Sequence, residues 1–188
     1  MSTGYQIKDQ QALHYLTIQV VDWLDVFTRQ TYRDIVLDSL RFCQQNKGLQ
    51  VFGYVIMSNH IHLIANSSQG ELSNTIRDFK KFTAKNIIES ITNGNESRQD
   101  WMLNRFQFNA QKHSRNEHYQ MWTHENHAVV IYSPEFAREK LEYLHNNPVR
   151  AGLVKKPADY IYSSASNYAE MESILEVIIM YLKWKIYF

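Results

Sequence analysis

With a single cysteine, Cys43, the chain cannot close an internal disulfide, and that scarcity suits a reducing cytoplasm. No stretch approaches the ~20 apolar residues that a membrane span needs; the most apolar one, Ile174–Leu182, is short and carries Glu176. The first residues, Met1–Asp9, are polar and lack the apolar centre of a signal peptide. An excess of one charge is also missing. The formal net charge is +1, so the protein is no basic block for nucleic acid, and any positive surface has to be local. No GxxxxGK[ST] loop is present, which removes the usual cradle for a nucleotide triphosphate. What is there is ordinary for a globular protein, 44% hydrophobic and 21% charged, and 188 residues can bury a real core. The expectation is one soluble cytoplasmic domain over 1–188, with its core at about 10–170 and a C-terminal extension at about 171–188.

Local patterns give an order of elements. His14–Val21 is rich in β-branched and aromatic residues and reads as a strand. Thr31–Gln45 has a helical spacing of apolar residues and ends at Asn46-Lys47-Gly48, with Cys43 as a small buried apolar residue on it. Gln50–Met57 and His60–Ala65 read as two strands joined through Ser58-Asn59. Glu71–Ile91 is a helix whose apolar stripe is Leu72, Ile76, Phe79, Thr83, Ile87 and Ile91. Residues 92–117 are polar and interrupted, with a short amphipathic piece at Arg98–Gln111, and further strand pieces are expected at Tyr119–Trp122 and Ala128–Ile131. Ser133-Pro134-Glu135 starts a helix with an N-cap and a proline in its first turn, and Pro148 is expected to stop it. The order β-α-β-β-α-β points to an α+β fold: a ferredoxin-like split βαβ sandwich with an antiparallel sheet, the Tyr143 helix following the last core strand.

Two short segments carry chemistry. On a strand, His60 and His62 point to one face while Ile61 and Leu63 point to the other, so two imidazoles can converge on one divalent cation. A His-x-His pair alone fits two structural residues equally well. On the later helix, Tyr143 and Asn147 are four apart and share a face that Glu139 continues. A phenol is a weak nucleophile until a metal or base assists it, and the Asn147 amide oxygen would complete a mixed nitrogen and oxygen site beside it. The plainer alternative is a packed tyrosine ring and an asparagine that caps the helix.

Taken together the strings resemble the one-tyrosine HUH transposases, namely insertion-sequence transposases and REP-associated tyrosine transposases. The resemblance rests on Val55-Ile56-Met57-Ser58-Asn59-His60-Ile61-His62, on Asn147-Pro148-Val149-Arg150-Ala151-Gly152 behind Tyr143, on Tyr160-Ile161-Tyr162-Ser163-Ser164-Ala165, and on Phe79-Lys80-Lys81-Phe82-Thr83. It covers roughly residues 10–170. It implies Tyr143 as nucleophile and His60, His62 and Asn147 as holders of Mg²⁺ or Mn²⁺, two imidazoles favouring Mn²⁺ somewhat. It also implies cleavage and rejoining of single-stranded DNA, as a hairpin or palindromic repeat, through a 5′-phosphotyrosine. The partner is then DNA and not a membrane, with the protein a monomer or homodimer. Ser58 stands where many relatives have proline, and Tyr181–Phe188 matches nothing in the family core.

Arg77, Lys80, Lys81 and Lys85, against Asp78 alone, form a helix face that could hold phosphates beside the active site or simply be solvated, and Arg150 with Lys155 and Lys156 makes a second cluster open to the same two readings. Trp101, Phe106 and Trp122 suit core packing better than stacking on bases. His124 and His127 are three apart and do not make a helical HExxH pair. Two other functions are compatible with the residues. One is a DNA-hairpin-binding module without turnover; the other is a small zinc hydrolase, which lacks a clear third ligand and a carboxylate base.

Overall fold

The computed structural model describes residues 7–112 and 118–182. The elements run β1 (His14–Gln19), α1 (Gln30–Asn46), β2 (Leu49–Ile56), β3 (His60–Ser67), α2 (Leu72–Asn93), α3 (Gln99–Gln111), β4 (Val129–Val130), α4 (Pro134–His145), α5 (Asn147–Arg150) and α6 (Ala165–Tyr168). Short 3-10 turns lie at Val21–Trp23 and Pro157–Asp159. The strands form one antiparallel sheet in the order β2-β3-β1-β4. β1 and β2 therefore run the same way with β3 between them, which is the split βαβ arrangement and the α+β fold expected from the sequence.

The alternation of side chains along the strands sorts the sheet into two faces. Leu16, Ile18, Tyr54, Ile56, Ile61 and Leu63 belong to the larger core, together with residues of α1 and α2. Every apolar-stripe residue of α2 read from the sequence is buried there. Burying side chains such as Ile61 and Leu63 contributes about 1.5–3 kcal/mol each. Tyr15, Val55 and Ile64 face the other way, onto Leu141 and Leu144 of α4. α4 can approach this closely because Gly53 lies beneath it: a Cβ there would stand 2.9 Å from Leu141 Cδ1. His60 and His62, in phase with Ile64, are on this second face.

Several details differ from the sequence expectations. Of the two strand pieces after α3, only Val129–Val130 joins the sheet, while Trp122 makes an isolated bridge to Val20. Between them the chain follows β1 irregularly, Thr123 N donating to Gln19 O (2.9 Å) and Thr17 N to Asn126 O (2.8 Å), with His127 in a left-handed conformation (φ 39°). There the Lys80 ammonium donates to Thr123 O (2.7 Å) and Asn126 Oδ1 (2.8 Å). α4 starts as read, Ser133 Oγ accepting from Phe136 N at 3.2 Å. Pro148 does not end helical structure, however. α4 stops at His145 and the chain turns straight into α5, where Pro148 sits in the first turn and its missing N–H costs nothing.

Residues 160–165 pack on β2, with Ile56 N donating to Tyr162 O (2.9 Å) and Ser164 N to Tyr54 O (2.9 Å). Ile178 N also donates to Val51 O (2.8 Å), so residues 160–165 and the described part of the extension together cover the outer edge of β2. The N-terminal Met1–Gln6, residues 113–117 of the polar segment, and 183–188 of the tail lie outside the described residues. Among the described residues no helix is long and apolar enough to cross a membrane.

Candidate active site

β3 supplies the imidazoles and α4–α5 the tyrosine and amide, and the packing of α4 on the sheet brings them together. The His60 and His62 rings lie 4.6 Å apart between centroids, and the Tyr143 ring is 5.7 Å from that of His62. Asn147 Nδ2 is 3.4 Å from His60 Nε2. Because α5 follows α4 without a break, Asn147 stays on the Tyr143 side and reaches His60. Tyr143 is 47% exposed, so its side chain stands half in solvent beside the histidines.

Each histidine is oriented through its other nitrogen. Asn59 Oδ1 accepts from His60 Nδ1 at 2.7 Å, and the direction of the Asn59 amide is set because its Nδ2 donates to Trp23 O (3.3 Å) and Asp25 Oδ1 (3.1 Å). Thr17 Oγ1, directly across the ladder from His62, is 3.0 Å from His62 Nδ1. Asn59 Oδ1 accepts only, so it favours the His60 tautomer with a lone pair on Nε2, whereas the Thr17 hydroxyl can donate or accept and orients the His62 ring without choosing its tautomer. Burial holds His60 down to about 4, and burial with the charges of His60 and Arg150 holds His62 down to about 3. Both rings are therefore neutral at pH 7, as metal ligands must be.

The donor set fits a divalent cation. Ligands of one ion at bond lengths of ~2.1 Å lie roughly 3.0–3.4 Å apart, which matches the His60–Asn147 separation once the amide is turned to present Oδ1. Among the described residues no cluster of three His, Cys, Asp or Glu side chains stands anywhere as an alternative metal site. Glu139, on the same helix, pairs its Oε1 with the neighbouring Lys140 at 3.2 Å.

The cations expected to bind DNA are separated by the fold. Arg150 is at the site: its guanidinium lies over the Tyr143 ring, 4.1 Å from the centroid, and donates to Tyr143 O at 3.2 Å. Arg77, Lys81 and Lys85 are exposed, but on α2, which covers the opposite face of the sheet from the histidines. The expectation that this helix lies beside the site is corrected by that layering. Lys80 leaves the set, since its ammonium is spent on the 123–126 loop and burial pushes it down to about 8. His145 points away from the site and its Nε2 is 2.9 Å from Ser164 Oγ. Phe106 and Trp122 are core residues, whereas Trp101 is exposed.

Other side chains around the site were not singled out from the sequence. Tyr15 stacks on His62 (5.2 Å, 28°) and stands edge-on to Tyr143 (6.4 Å); burial pushes its hydroxyl up. Lys140, one turn before Tyr143 on α4, lies 5.8 Å from the Tyr15 ring centroid. Only the spacing of Lys140 from Tyr143 was visible in the sequence as a signal. Thr17, Asn59 and Tyr15 act through contacts across the sheet and its connecting loop.

No curated protein matches the chain. A solved structure of a REP-associated tyrosine transposase bound to a REP hairpin shares the fold, with a TM-score of 0.63 at 14% identity over 100% of this chain and 99% of that one. A family model described as "Transposase IS200 like" matches residues 12–117, from before β1 to past α3 and including both histidines. That match spans more than half of the 188 residues, and the protein belongs to the IS200-like transposase family.

Proposed function

We propose that this protein cleaves and rejoins single-stranded DNA at a hairpin by transesterification at Tyr143. The observation that carries it is the meeting of His60, His62, Asn147 and Tyr143 from two separate layers of the fold. The family and the hairpin-bound structural relative favour the same substrate.

In the forward step the Tyr143 oxygen forms a bond to a backbone phosphorus and its proton passes to solvent. The P–O3′ bond breaks, its electron pair stays on the 3′ oxygen, and that oxygen takes up a proton to become a free 3′-OH. The product is a 5′-phosphotyrosine. Attack by another 3′-OH restores a phosphodiester and frees the phenol, so the bond energy is conserved and no nucleotide is consumed. His60 Nε2, His62 Nε2 and the Asn147 oxygen would hold Mg²⁺ or Mn²⁺, which when bound supplies Lewis-acid polarisation of a phosphate oxygen. Asn59 keeps His60 in the ligand tautomer, and Thr17 orients the His62 ring. Arg150 offers a guanidinium to the phosphate beside the Tyr143 ring, and Tyr15 braces His62 by stacking.

The test is to incubate wild type and Tyr143→Phe with single-stranded hairpins from the gene's own flanks and Mn²⁺ or Mg²⁺, and then run a denaturing gel. A covalent protein–DNA band that is lost in the variant and with chelator supports the proposal. Tight hairpin binding with no band under any metal would replace it with the binding module.

A further inference from the structure

Just past β1 the chain turns through two successive residues in the left-handed region, Asp22 (φ 53°) and Trp23 (φ 55°). Neither is glycine, so this turn is one that L side chains rarely adopt and that its surroundings must enforce. The Asp22 carboxylate accepts from Arg105 Nη2 and from Asn109 Nδ2 (2.7 Å) on α3. Trp23 O accepts from Asn59 Nδ2, the same amide that orients His60. What the turn presents is the indole. Trp23 is 56% exposed, and its ring stands edge-on to His60 at 5.7 Å (79°).

Core packing does not account for a large aromatic residue left half in water on strained backbone. Other exposed rings differ in this respect: Tyr132, for example, stacks on Phe136 and its backbone is not left-handed. We propose that Trp23 is a stacking platform for one unpaired nucleobase of the single strand that passes the His60, His62 and Tyr143 site. The proposal rests on the single-stranded DNA reading above and adds a subsite to it.

Three features suit that occupant. Every base offers a π-face, so a fixed indole can hold the strand without reading its sequence. The indole adjoins a proposed metal ligand, so a base held there belongs to a nucleotide next to the reacting phosphate. Anchoring at both ends of the turn fixes the ring in advance, so little ordering is left for binding to oppose.

The experiment measures binding of a labelled oligothymidylate to the full chain in chelator, where no cleavage can intervene, by fluorescence anisotropy. Trp23→Ala should weaken binding roughly tenfold to a hundredfold, with Trp23→Phe much less affected. Trp23→Gly relieves the left-handed backbone; it should keep or raise Tm and still lose the affinity, which separates the ring from folding. Quenching of tryptophan emission on binding should be reduced in Trp23→Phe, and affinity for a blunt duplex should be unchanged by all three variants.

The proposal is overturned if Trp23→Ala and Trp23→Gly bind the oligonucleotide as tightly as wild type, or if wild type does not bind it. It is also overturned if the substitutions instead shift a monomer–dimer equilibrium, which would assign the ring to a second copy of the chain. A wild type that binds through Trp23 but never forms a Tyr143 adduct would sink the transesterification reading and leave this subsite standing. The reverse result, a normal adduct with a silent Trp23, would sink only the subsite.

Discussion

Replacing Asn59 with alanine should weaken divalent-cation binding without removing any proposed ligand. The side chain makes a 2.7 Å contact to His60 Nδ1 and donates to Trp23 O and Asp25 Oδ1. Its removal frees His60 to carry its proton on either nitrogen and to rotate, so a fraction of molecules present N–H where the cation needs a lone pair. Losses of such outer partners typically cost about 10–100-fold in metal affinity, equivalent to about 1.4–2.7 kcal/mol. The fold should lose only about 1–2 kcal/mol, because the two bonds made by Nδ2 are solvent-exposed. Calorimetric titration with Mn²⁺ at pH 7 reads the first quantity and thermal unfolding of the metal-free protein the second. Histidine ¹⁵N shifts would show a defined Nδ1–H tautomer at His60 giving way to a mixture. Asn59→Asp keeps an acceptor for Nδ1 and should retain most of the affinity. Wild-type Mn²⁺ affinity in a folded Asn59→Ala protein would refute the tautomer argument.

Burial keeps His60, His62 and His145 at about 4, 3 and 4, against 6.5 in an exposed chain. The unfolded state therefore binds more protons than the native state once pH falls below 6.5, and stability drops with falling pH until the folded values are reached. Roughly 2 kcal/mol per imidazole is lost by pH 5, so Tm of the metal-free protein should fall steadily from pH 7 to pH 5; a flat profile would contradict the burial. Lys80→Met leaves the Thr123 and Asn126 acceptors without their donor and should cost about 1–3 kcal/mol. It should leave the salt slope of DNA binding unchanged, whereas loss of a phosphate contact would flatten that slope by ~0.7–0.9. Gly53→Ala places a Cβ against Leu141 and should destabilise by about 1 kcal/mol, because that buried side chain has to move; an unchanged Tm would show that α4 packs less tightly than described.

The residues that are legible in the sequence are those whose geometry is set within one element. His60 and His62 share a face because strands alternate, and Tyr143 and Asn147 share one because helices repeat every turn. The buried stripe of α2 and the Ser133 cap follow from the same local rules. Contacts between elements were not legible. Thr17 meets His62 only through the β1–β3 register, and Asn59 reaches Trp23 only because the β2–β3 loop folds against the end of β1. Amphipathicity shows which side of α2 is buried but not which face of the sheet it covers, so its cations read as neighbours of a site that lies on the other side. The left-handed pair Asp22-Trp23 carries no glycine to announce it, and neither does the left-handed His127 that precedes the two-residue β4.

The most direct test of Tyr143 as the attacking group is to trap the protein–DNA adduct, digest the DNA with nuclease and the protein with protease, and locate the nucleotide by mass spectrometry. A nucleotide phosphate on the peptide at Tyr143, with a free 3′-OH on the released strand, is the predicted result. An adduct on another residue, such as the neighbouring Tyr15, or strand cleavage with no covalent protein product, would contradict it.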